Sequence, residues 1–292
     1  MHESDLGLSQ SRSLQPNAHL TRRAFVVTSL GAGFALAVQP VMAQTVITTD
    51  SEGLTAGEVK VPVSDGAMPA YRACPAGQKH APVVLVIHEI FGVHEHIQDL
   101  CRRLAKQGYY AIAGDLYARY GDATKVADIK ELMSTIVSKA SDTQVRSDLD
   151  AAVKFAASEK ADTHKLAVTG FCWGGRQTWM YTAATPSVKA GVAWYGPLAK
   201  APQGSQTAIE VAGNIKGRVL GLYGGQDQGI SQDDVQKMRD ALTAAGDGKS
   251  TIQVYPDAPH GFNADYRPSY RETEAKDGWA RMLAWFKAHG VA

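Results

Sequence analysis

Runs of mostly apolar residues recur along the chain, and one of them consists largely of β-branched residues. The clearest is VVLVI at residues 83–87, and a run without polar interruption is typical of a strand that is buried on both faces. Similar runs predict further strands at residues 109–113, 166–169, 190–194, 219–223 and 251–255. Before them, residues 58–63 and 68–74 alternate apolar and polar side chains, which predicts an N-terminal hairpin.

Segments with a helical repeat of apolar residues lie between the predicted strands. One apolar face comprises Val126, Ile129, Met133, Ile136 and Val137, and another comprises Leu149, Ala152, Val153 and Ala156. Positions 275, 279, 282, 283 and 286 form the apolar face of a last helix, which Gly290 closes. Strands that alternate with helices predict an α/β fold, in which a mostly parallel central sheet has helices on both faces. Since no repeat, low-complexity tract or linker follows Gln44, residues 44–292 are expected to form a single domain.

Composition and charge exclude several classes of function. The net charge of the 292 residues is +1, and no basic stripe with interleaved aromatic residues is present, which argues against a nucleic-acid partner. The three cysteines, Cys74, Cys101 and Cys172, cannot all pair, and no CxxC or Cys/His cluster predicts a metal site. We therefore expect no metal and no organic cofactor, and at least one thiol that is kept for chemistry.

The N-terminal segment has the features of an export signal. Arg22 and Arg23 precede 15 uncharged, mostly apolar residues at positions 24–38, and Val41-Met42-Ala43 resembles a signal-peptidase site. A membrane anchor is the alternative, but the run is shorter than the ~20 residues that a spanning helix needs. Residues 1–43 are therefore predicted to be a leader and twin-arginine signal peptide. Cleavage after about Ala43 would leave a periplasmic or secreted protein without a membrane anchor.

Three of the predicted strands end in residues that are typical of nucleophilic catalysis. The strand at 166–169 leads into Gly170-Phe171-Cys172-Trp173-Gly174, the strand at 219–223 into Asp227, and the strand at 251–255 into His260. Because the carboxyl ends of parallel strands meet at one edge of the sheet, these side chains are expected to lie close together. The sequence therefore predicts a site with a cysteine, an aspartate and a histidine in that chain order.

The glycines around Cys172 predict a nucleophile elbow with sulfur in place of oxygen. The turn puts Cys172 at a helix N-terminus, where the helix dipole favours the thiolate. His260 is then the general base and acid, and Asp227 orients its ring. The backbone N–H groups of Trp173 and Ile90 are the predicted oxyanion hole.

Each of these residues also has a purely structural interpretation. Cys172 could be an inert thiol in a tight turn, Asp227 could cap the helix that begins near Ser231, and His260 could be an ordinary loop residue. Chain order and placement at strand ends together favour the catalytic interpretation. His88, which also follows a strand, is expected only to satisfy backbone groups there.

Five segments together resemble the dienelactone hydrolase family, whose members have the α/β-hydrolase fold. They are HEIFGV at 88–93, DLYAR at 115–119, GFCWGG at 170–175, GGQD at 224–227 and PHGF at 259–262. The resemblance runs from about Thr55 to the C-terminus. It implies that Cys172, Asp227 and His260 form the catalytic triad, and that Glu89 takes the thiol proton when substrate enters.

The sequence departs from the family where the substrate carboxylate is held. Family members that open dienelactones use one arginine on the helix after the DLYAR segment and another four residues past the catalytic histidine. Here the helix carries Lys125 and Lys130, and the later position is Ala264. The candidate substrate-binding side chains are therefore Tyr117, Arg119, Lys130 and Arg267, and for the charged ones a solvated surface position is the alternative.

Thiol chemistry limits the class of substrate. A thiolate, whose parent thiol has a pKa of ~8.5, leaves a tetrahedral intermediate more readily than an alkoxide does. Enol lactones, aryl esters and thioesters are therefore favoured over ordinary alkyl esters. The predicted function is a cysteine-dependent hydrolase of such substrates that acts through an S-acyl intermediate. The alternatives are acyl transfer to an acceptor other than water, and a non-catalytic ligand-binding protein on the same fold.

Overall fold

The computed structural model describes residues 46–292 except 203, 216, 247 and 248. The predicted leader and signal peptide at 1–43 lie outside the described residues. Export therefore stays a prediction from the sequence.

One eight-stranded sheet organises the described chain, in the order β1-β2-β4-β3-β5-β6-β7-β8. The strands are β1 (Leu54–Val63), β2 (Gly66–Pro75), β3 (Pro82–Ile87), β4 (Tyr110–Gly114), β5 (Asp162–Phe171), β6 (Val188–Trp194), β7 (Arg218–Gly224) and β8 (Thr251–Tyr255). β1 and β2 form the antiparallel hairpin, and β2 pairs antiparallel with β4. The six strands from β4 to β8 along the sheet are parallel. The predicted fold class is confirmed.

Six α-helices cover the sheet in the described ranges. They are α1 (Glu95–Lys106), α2 (Ile129–Thr135), α3 (Asp142–Ser158), α4 (Trp173–Ala184), α5 (Gln232–Ala244) and α6 (Glu272–Ala288). Ser141 and Ser231 cap α3 and α5, since each side chain accepts a backbone N–H bond from the first turn. None of these described helices is both long and apolar enough to cross a lipid bilayer.

The segment at 126–137 differs from the single helix that its apolar repeat predicts. Only α2 is α-helical, and short 3₁₀ turns lie on either side of it. The backbone of Ile136 leaves the helical region at φ −120° and ψ −65°. Ile136 and Val137 are buried, whereas Ile129 and Met133 are 41% and 43% exposed. The predicted apolar face is therefore divided between the core and the surface.

The core lies on both faces of the sheet, as the run at 83–87 predicts. Every residue of β3 is buried, and successive side chains point to opposite faces. Val84 and Val86 pack in the cluster that includes Leu100 of α1. Val83 and Leu85 pack in the second cluster, on the opposite face. Burial on both faces fixes the register of the parallel strands, and this aligns their carboxyl ends.

Candidate active site

Cys172 occupies a sharp turn between β5 and α4. Its backbone has φ 53° and ψ −116°, a left-handed conformation that non-glycine residues rarely adopt. Three bonds hold it: the Cys172 N–H donates to Trp194 O at 3.0 Å, and the Cys172 carbonyl accepts from the N–H groups of Gly175 at 2.9 Å and Arg176 at 3.2 Å. Such strain costs on the order of 1–3 kcal/mol and is common at functional sites.

The glycines of this turn allow backbones to approach each other. A Cβ on Gly170 would overlap the Gly174 carbonyl group, and a Cβ on Gly174 would lie 2.5 Å from the His88 carbonyl oxygen. A Cβ on Gly175 would lie 2.5 Å from the Trp194 carbonyl oxygen. The start of α4 is therefore packed directly against the backbone at the ends of β3 and β6.

Asp227 and His260 meet at the ends of β7 and β8. The Asp227 Oδ2 atom lies 2.6 Å from His260 Nδ1. The other oxygen, Oδ1, accepts backbone N–H bonds from Gly229 at 2.8 Å and Ile230 at 3.2 Å. These bonds fix the carboxylate, which therefore holds the imidazole by Nδ1 and leaves Nε2 for another partner.

His260 interacts with the Cys172 side chain as well as with Asp227. Burial lowers the pKa of His260, but the charge of the Cys172 sulfur and the hydrogen bonds that His260 makes to Asp227 and Cys172 outweigh burial and raise the pKa to about 10. The site therefore favours an imidazolium beside the sulfur. The structure brings together all three residues that the strand-end pattern predicts.

Glu89 is 1% exposed and lies in a polar network of its own. Its Oε2 atom accepts a hydrogen bond from the Tyr266 hydroxyl and lies 3.9 Å from His94 Nε2. Burial lowers the pKa of His94 to about 3, so this ring is neutral. Burial raises the pKa of Glu89, but the charge of Arg267 contributes to a net lowering below its usual value. Glu89 is therefore a carboxylate, and no described hydrogen bond joins it to Cys172.

Tyr117 and Tyr195 bring two hydroxyl groups to the site. Both side chains are fully buried, and neither hydroxyl has a hydrogen-bond partner among the described residues. Tyr195 packs edge-on against His260 at 5.1 Å between ring centroids, and Tyr117 lies 4.8 Å from Trp173. Burial and the charge of Cys172 raise the pKa of both phenols. Both hydroxyls are therefore neutral donors.

Some site residues have little or no signal in the sequence. Tyr195 directly follows β6, and the strand-end argument would have identified it if applied to that strand. Tyr266 and His94 have no comparable signal, because they reach Glu89 from a long loop and from the position before α1.

Of the predicted anion-binding residues, the structure brings Arg267 to the site. Its guanidinium lies 5.8 Å from the centre of the Phe91 ring, and its charge acts on Glu89, Tyr195 and Cys172. Arg119 is engaged elsewhere, since it forms ion pairs with Asp65 and Asp148 at 2.6 Å each. Lys130 is exposed on α2. Of the three predicted anion-binding cations, Arg267 is therefore the one that lies near the sulfur.

The two predicted oxyanion donors border the Cys172 turn. Neither Ile90 N–H nor Trp173 N–H donates a hydrogen bond to another described residue. Gly174 contacts the carbonyl oxygens of Ile87 and His88, which brings the loop after β3 against the start of α4. Within the described ranges, no group of three or more His, Cys, Asp or Glu side chains could hold a metal ion.

Comparison with known sequences shows similarity over almost the whole chain. Residues 68–290 match the model of the dienelactone hydrolase family. A curated relative from Methylorubrum extorquens, named "Putative carboxymethylenebutenolidase", is 56% identical over 284 residues, which cover 96% of this chain and 97% of the relative. A relative of the same name from Escherichia coli (strain K12) is 49% identical and is aligned over 91% of this chain and 98% of its own.

Solved structures show the same similarity in three dimensions. A structure from Klebsiella pneumoniae, described as a "Putative Dienelactone Hydrolase", has a TM-score of 0.78 and 51% identity, covering 80% of this chain and 98% of that one. An acylaminoacyl peptidase from Pyrococcus horikoshii has a TM-score of 0.62 at 16% identity and covers 81% of this chain and 42% of that one. The second similarity concerns the fold alone.

Proposed function

Because the chain belongs to the dienelactone hydrolase family, a family of carboxylic ester hydrolases, we propose that it cleaves activated esters or enol lactones through an S-acyl intermediate on Cys172. The observation that carries the proposal is the alignment of three groups. Cys172 sits in a strained turn, His260 interacts with it, and Asp227 holds His260 at 2.6 Å.

In the acylation step, Glu89 takes the proton from the Cys172 thiol, and the sulfur forms a bond to the carbonyl carbon. The carbonyl oxygen becomes an oxyanion and accepts hydrogen bonds from the N–H groups of Ile90 and Trp173. When the intermediate collapses, the carbon–oxygen bond to the leaving group breaks and the His260 imidazolium gives its proton to that oxygen. A water molecule then attacks the thioester and loses a proton to His260. The carbon–sulfur bond breaks, the acid is released, and the Cys172 thiolate takes its proton back from Glu89.

Glu89 is proposed to accept the thiol proton when substrate enters and to return it when the thioester is hydrolysed. Its Oε1 atom is buried and makes no hydrogen bond within the described part of the chain, so this oxygen can accept a proton. Arg267 and Tyr266 help to keep the carboxylate ionised until then. Glu89→Gln should slow acylation by about 10²-fold, a typical contribution of a general base. Unchanged pre-steady-state acylation in this variant would remove Glu89 from the mechanism.

The substrate is proposed to carry an anionic group. Arg267 is the cation beside Glu89 and Cys172, and the Tyr195 and Tyr117 hydroxyls have no protein acceptor among the described residues. A carboxylate would pair with Arg267, while neutral phenols donate to oxygen atoms of the substrate. Because an enolate or phenolate competes with departure of the thiolate better than an alkoxide does, the ester is expected to be activated.

Hydrolysis with Cys172 variants tests the proposed function. We expect turnover of p-nitrophenyl acetate and of a cis-dienelactone by the protein that begins at Gln44, and loss of turnover in Cys172→Ala. Cys101→Ala is the matched control, because Cys101 is a buried thiol of α1. If no substrate turned over and mass spectrometry found no acyl group on Cys172, a non-catalytic ligand-binding protein would be favoured. If an added alcohol received part of the acyl group, so that a new ester formed beside the acid, acyl transfer would be indicated.

Export by the twin-arginine route is also a proposal, since Arg22-Arg23 precedes an apolar run and a Val41-Met42-Ala43 site. Replacing both arginines by lysine should retain the uncleaved chain in the cytoplasm, whereas Arg12→Lys should not affect export. Immunoblotting of cell fractions measures this. Equal amounts of cleaved protein in the periplasm for the twin-lysine variant would exclude this route.

A further inference from the structure

His88 lies between the two predicted oxyanion donors and is fully buried. It follows β3 directly, and its ring makes two hydrogen bonds to the backbone. Nδ1 lies 2.6 Å from the Glu89 carbonyl oxygen, and Nε2 lies 3.2 Å from the Leu116 backbone nitrogen. These contacts satisfy backbone groups at a strand end, which is the role that the sequence predicts for His88.

The partners of His88 determine which ring nitrogen carries the proton. A backbone N–H can only donate, so Nε2 must accept from Leu116 and is unprotonated. A carbonyl oxygen can only accept, so Nδ1 carries the proton and donates to Glu89. Burial lowers the pKa of His88 and keeps the ring neutral, which preserves this tautomer.

The Glu89 carbonyl and the Ile90 N–H belong to the same peptide group. A trans peptide is planar, and its C=O and N–H bonds point in opposite directions. A bond that fixes the Glu89 carbonyl on one side therefore fixes the direction of the Ile90 N–H on the other. This N–H has no acceptor among the described residues.

The same ring also contacts the residue that provides the second donor. His88 stacks on Trp173, with ring centroids 5.5 Å apart and planes inclined by 15°. Tyr117 also packs edge-on against the imidazole, at 4.7 Å between ring centroids. The two aromatic rings hold His88 in one orientation, and His88 therefore links the Ile90 peptide to the start of α4.

We propose that His88 is a positioning residue of the oxyanion hole: it sets the direction of the Ile90 N–H and steadies the Trp173 turn. The inference rests on the proposed function, since it requires a tetrahedral intermediate on Cys172. Donors that are aligned before the reaction stabilise the oxyanion without reorganisation. The hydrogen bonds of His88 in the described chain go to Glu89 and Leu116 and none goes to Cys172, so its effect is expected to be confined to steps that form an oxyanion.

Two reactions of the same thiol separate this role from a general structural one. Acylation of Cys172 by p-nitrophenyl acetate forms an oxyanion, whereas alkylation by iodoacetamide displaces iodide and forms none. His88→Leu removes both hydrogen bonds and should slow acylation by about 10–100-fold, with alkylation within about threefold of wild type. His88→Gln keeps a donor and an acceptor and should restore most of the acylation rate. If the leucine variant does not fold, His88→Phe replaces it, because phenylalanine keeps the stacking on Trp173 without the hydrogen bonds.

The matched control is His289→Leu. His289 also bonds a backbone carbonyl through Nδ1, at 2.7 Å from Trp285 O, and also packs on a tryptophan ring, but it lies after α6. Its removal should leave both rates unchanged. Equal acylation rates in His88→Leu and wild type would overturn this inference and leave the proposed function intact. A parallel fall of the acylation and alkylation rates in a folded variant would have the same consequence. If the wild-type thiol were alkylated but never acylated, the proposed function would fail and this inference with it.

Discussion

Asp227 holds the His260 ring in one orientation, which the proposed proton transfer requires. The carboxylate contacts Nδ1 at 2.6 Å and is itself fixed by two backbone N–H groups. Asp227→Asn keeps the shape but offers an amide N–H or a neutral oxygen to the ring, so the wrong tautomer becomes accessible. We expect kcat/KM for p-nitrophenyl acetate to fall on the order of 10³–10⁴-fold. The pKa of His260 should also fall, since Asp227 helps to raise it.

Asp257→Asn is the matched control for this substitution. Asp257 is an exposed aspartate in the turn after β8, three residues before His260. The kcat/KM of the Asp257→Asn variant should equal that of wild type. A comparable loss in both variants, or a small loss in Asp227→Asn, would contradict the role of Asp227 as the partner of His260.

At the scale of single residues, sequence patterns predict positions on strand ends better than they predict which long side chains reach the site. Cys172, Asp227 and His260 lie within five residues of the ends of β5, β7 and β8, so the sheet register brings them together. The sequence gives Arg119, Lys130 and Arg267 equal standing as anion-binding residues. Of these three, Arg267 is the one whose charge interacts with Glu89 and Cys172. The difference depends on partners that are distant in sequence, such as Asp65 and Asp148 for Arg119.

The turn between β5 and α4 is the element on which the site depends. Gly174 has the carbonyl oxygens of Ile87 and His88 where a side chain would lie, so Gly174→Ala must move α4 away from β3. We expect a loss of about 3 kcal/mol in the free energy of unfolding, at the upper end for overpacking. Turnover should fall by more than the loss of folded protein explains, because the two proposed oxyanion donors move apart. Urea denaturation and turnover measure the two effects.

Gly213→Ala provides the matched control for the turn. Gly213 lies in the 3₁₀ turn Ala212–Asn214, and a Cβ there would meet nothing within 4 Å. Its free energy of unfolding should change by less than about 0.5 kcal/mol. If Gly174→Ala were equally neutral, the close packing of α4 on β3 would not be needed for stability.

At the scale of elements, the buried strands are readily predicted, but the segment at 126–137 is not. An unbroken run such as that of β3 has one solution, burial on both faces of a sheet. The apolar repeat of residues 126–137 is satisfied instead by burying Ile136 and Val137 and exposing Ile129 and Met133. The Asp128 side chain accepts a hydrogen bond from the Glu131 N–H at 2.8 Å and so caps the start of α2. The first residue of this helix is therefore set by a local cap and not by the repeat of apolar residues.

For the whole molecule, the site should make stability depend on pH. Folding raises the pKa of His260 from its ordinary value of 6.5 to about 10. A raised pKa stabilises the folded protein fully below pH 6.5, and this contribution is lost as the pH rises through about 10. The free energy of unfolding should therefore fall across this interval. Urea denaturation at several pH values should show a smaller fall for His260→Gln, and parallel curves for the two proteins would contradict the pairing of His260 with Cys172.

The central claim is that Cys172 carries the acyl group during turnover. The most direct measurement is rapid acid quenching of the enzyme with p-nitrophenyl acetate, followed by peptide mass spectrometry. We predict an acetyl group on the peptide that contains Cys172, formed within the first turnover and absent from Cys172→Ala. Turnover without such an adduct, or with the acetyl group on another residue, would contradict the account.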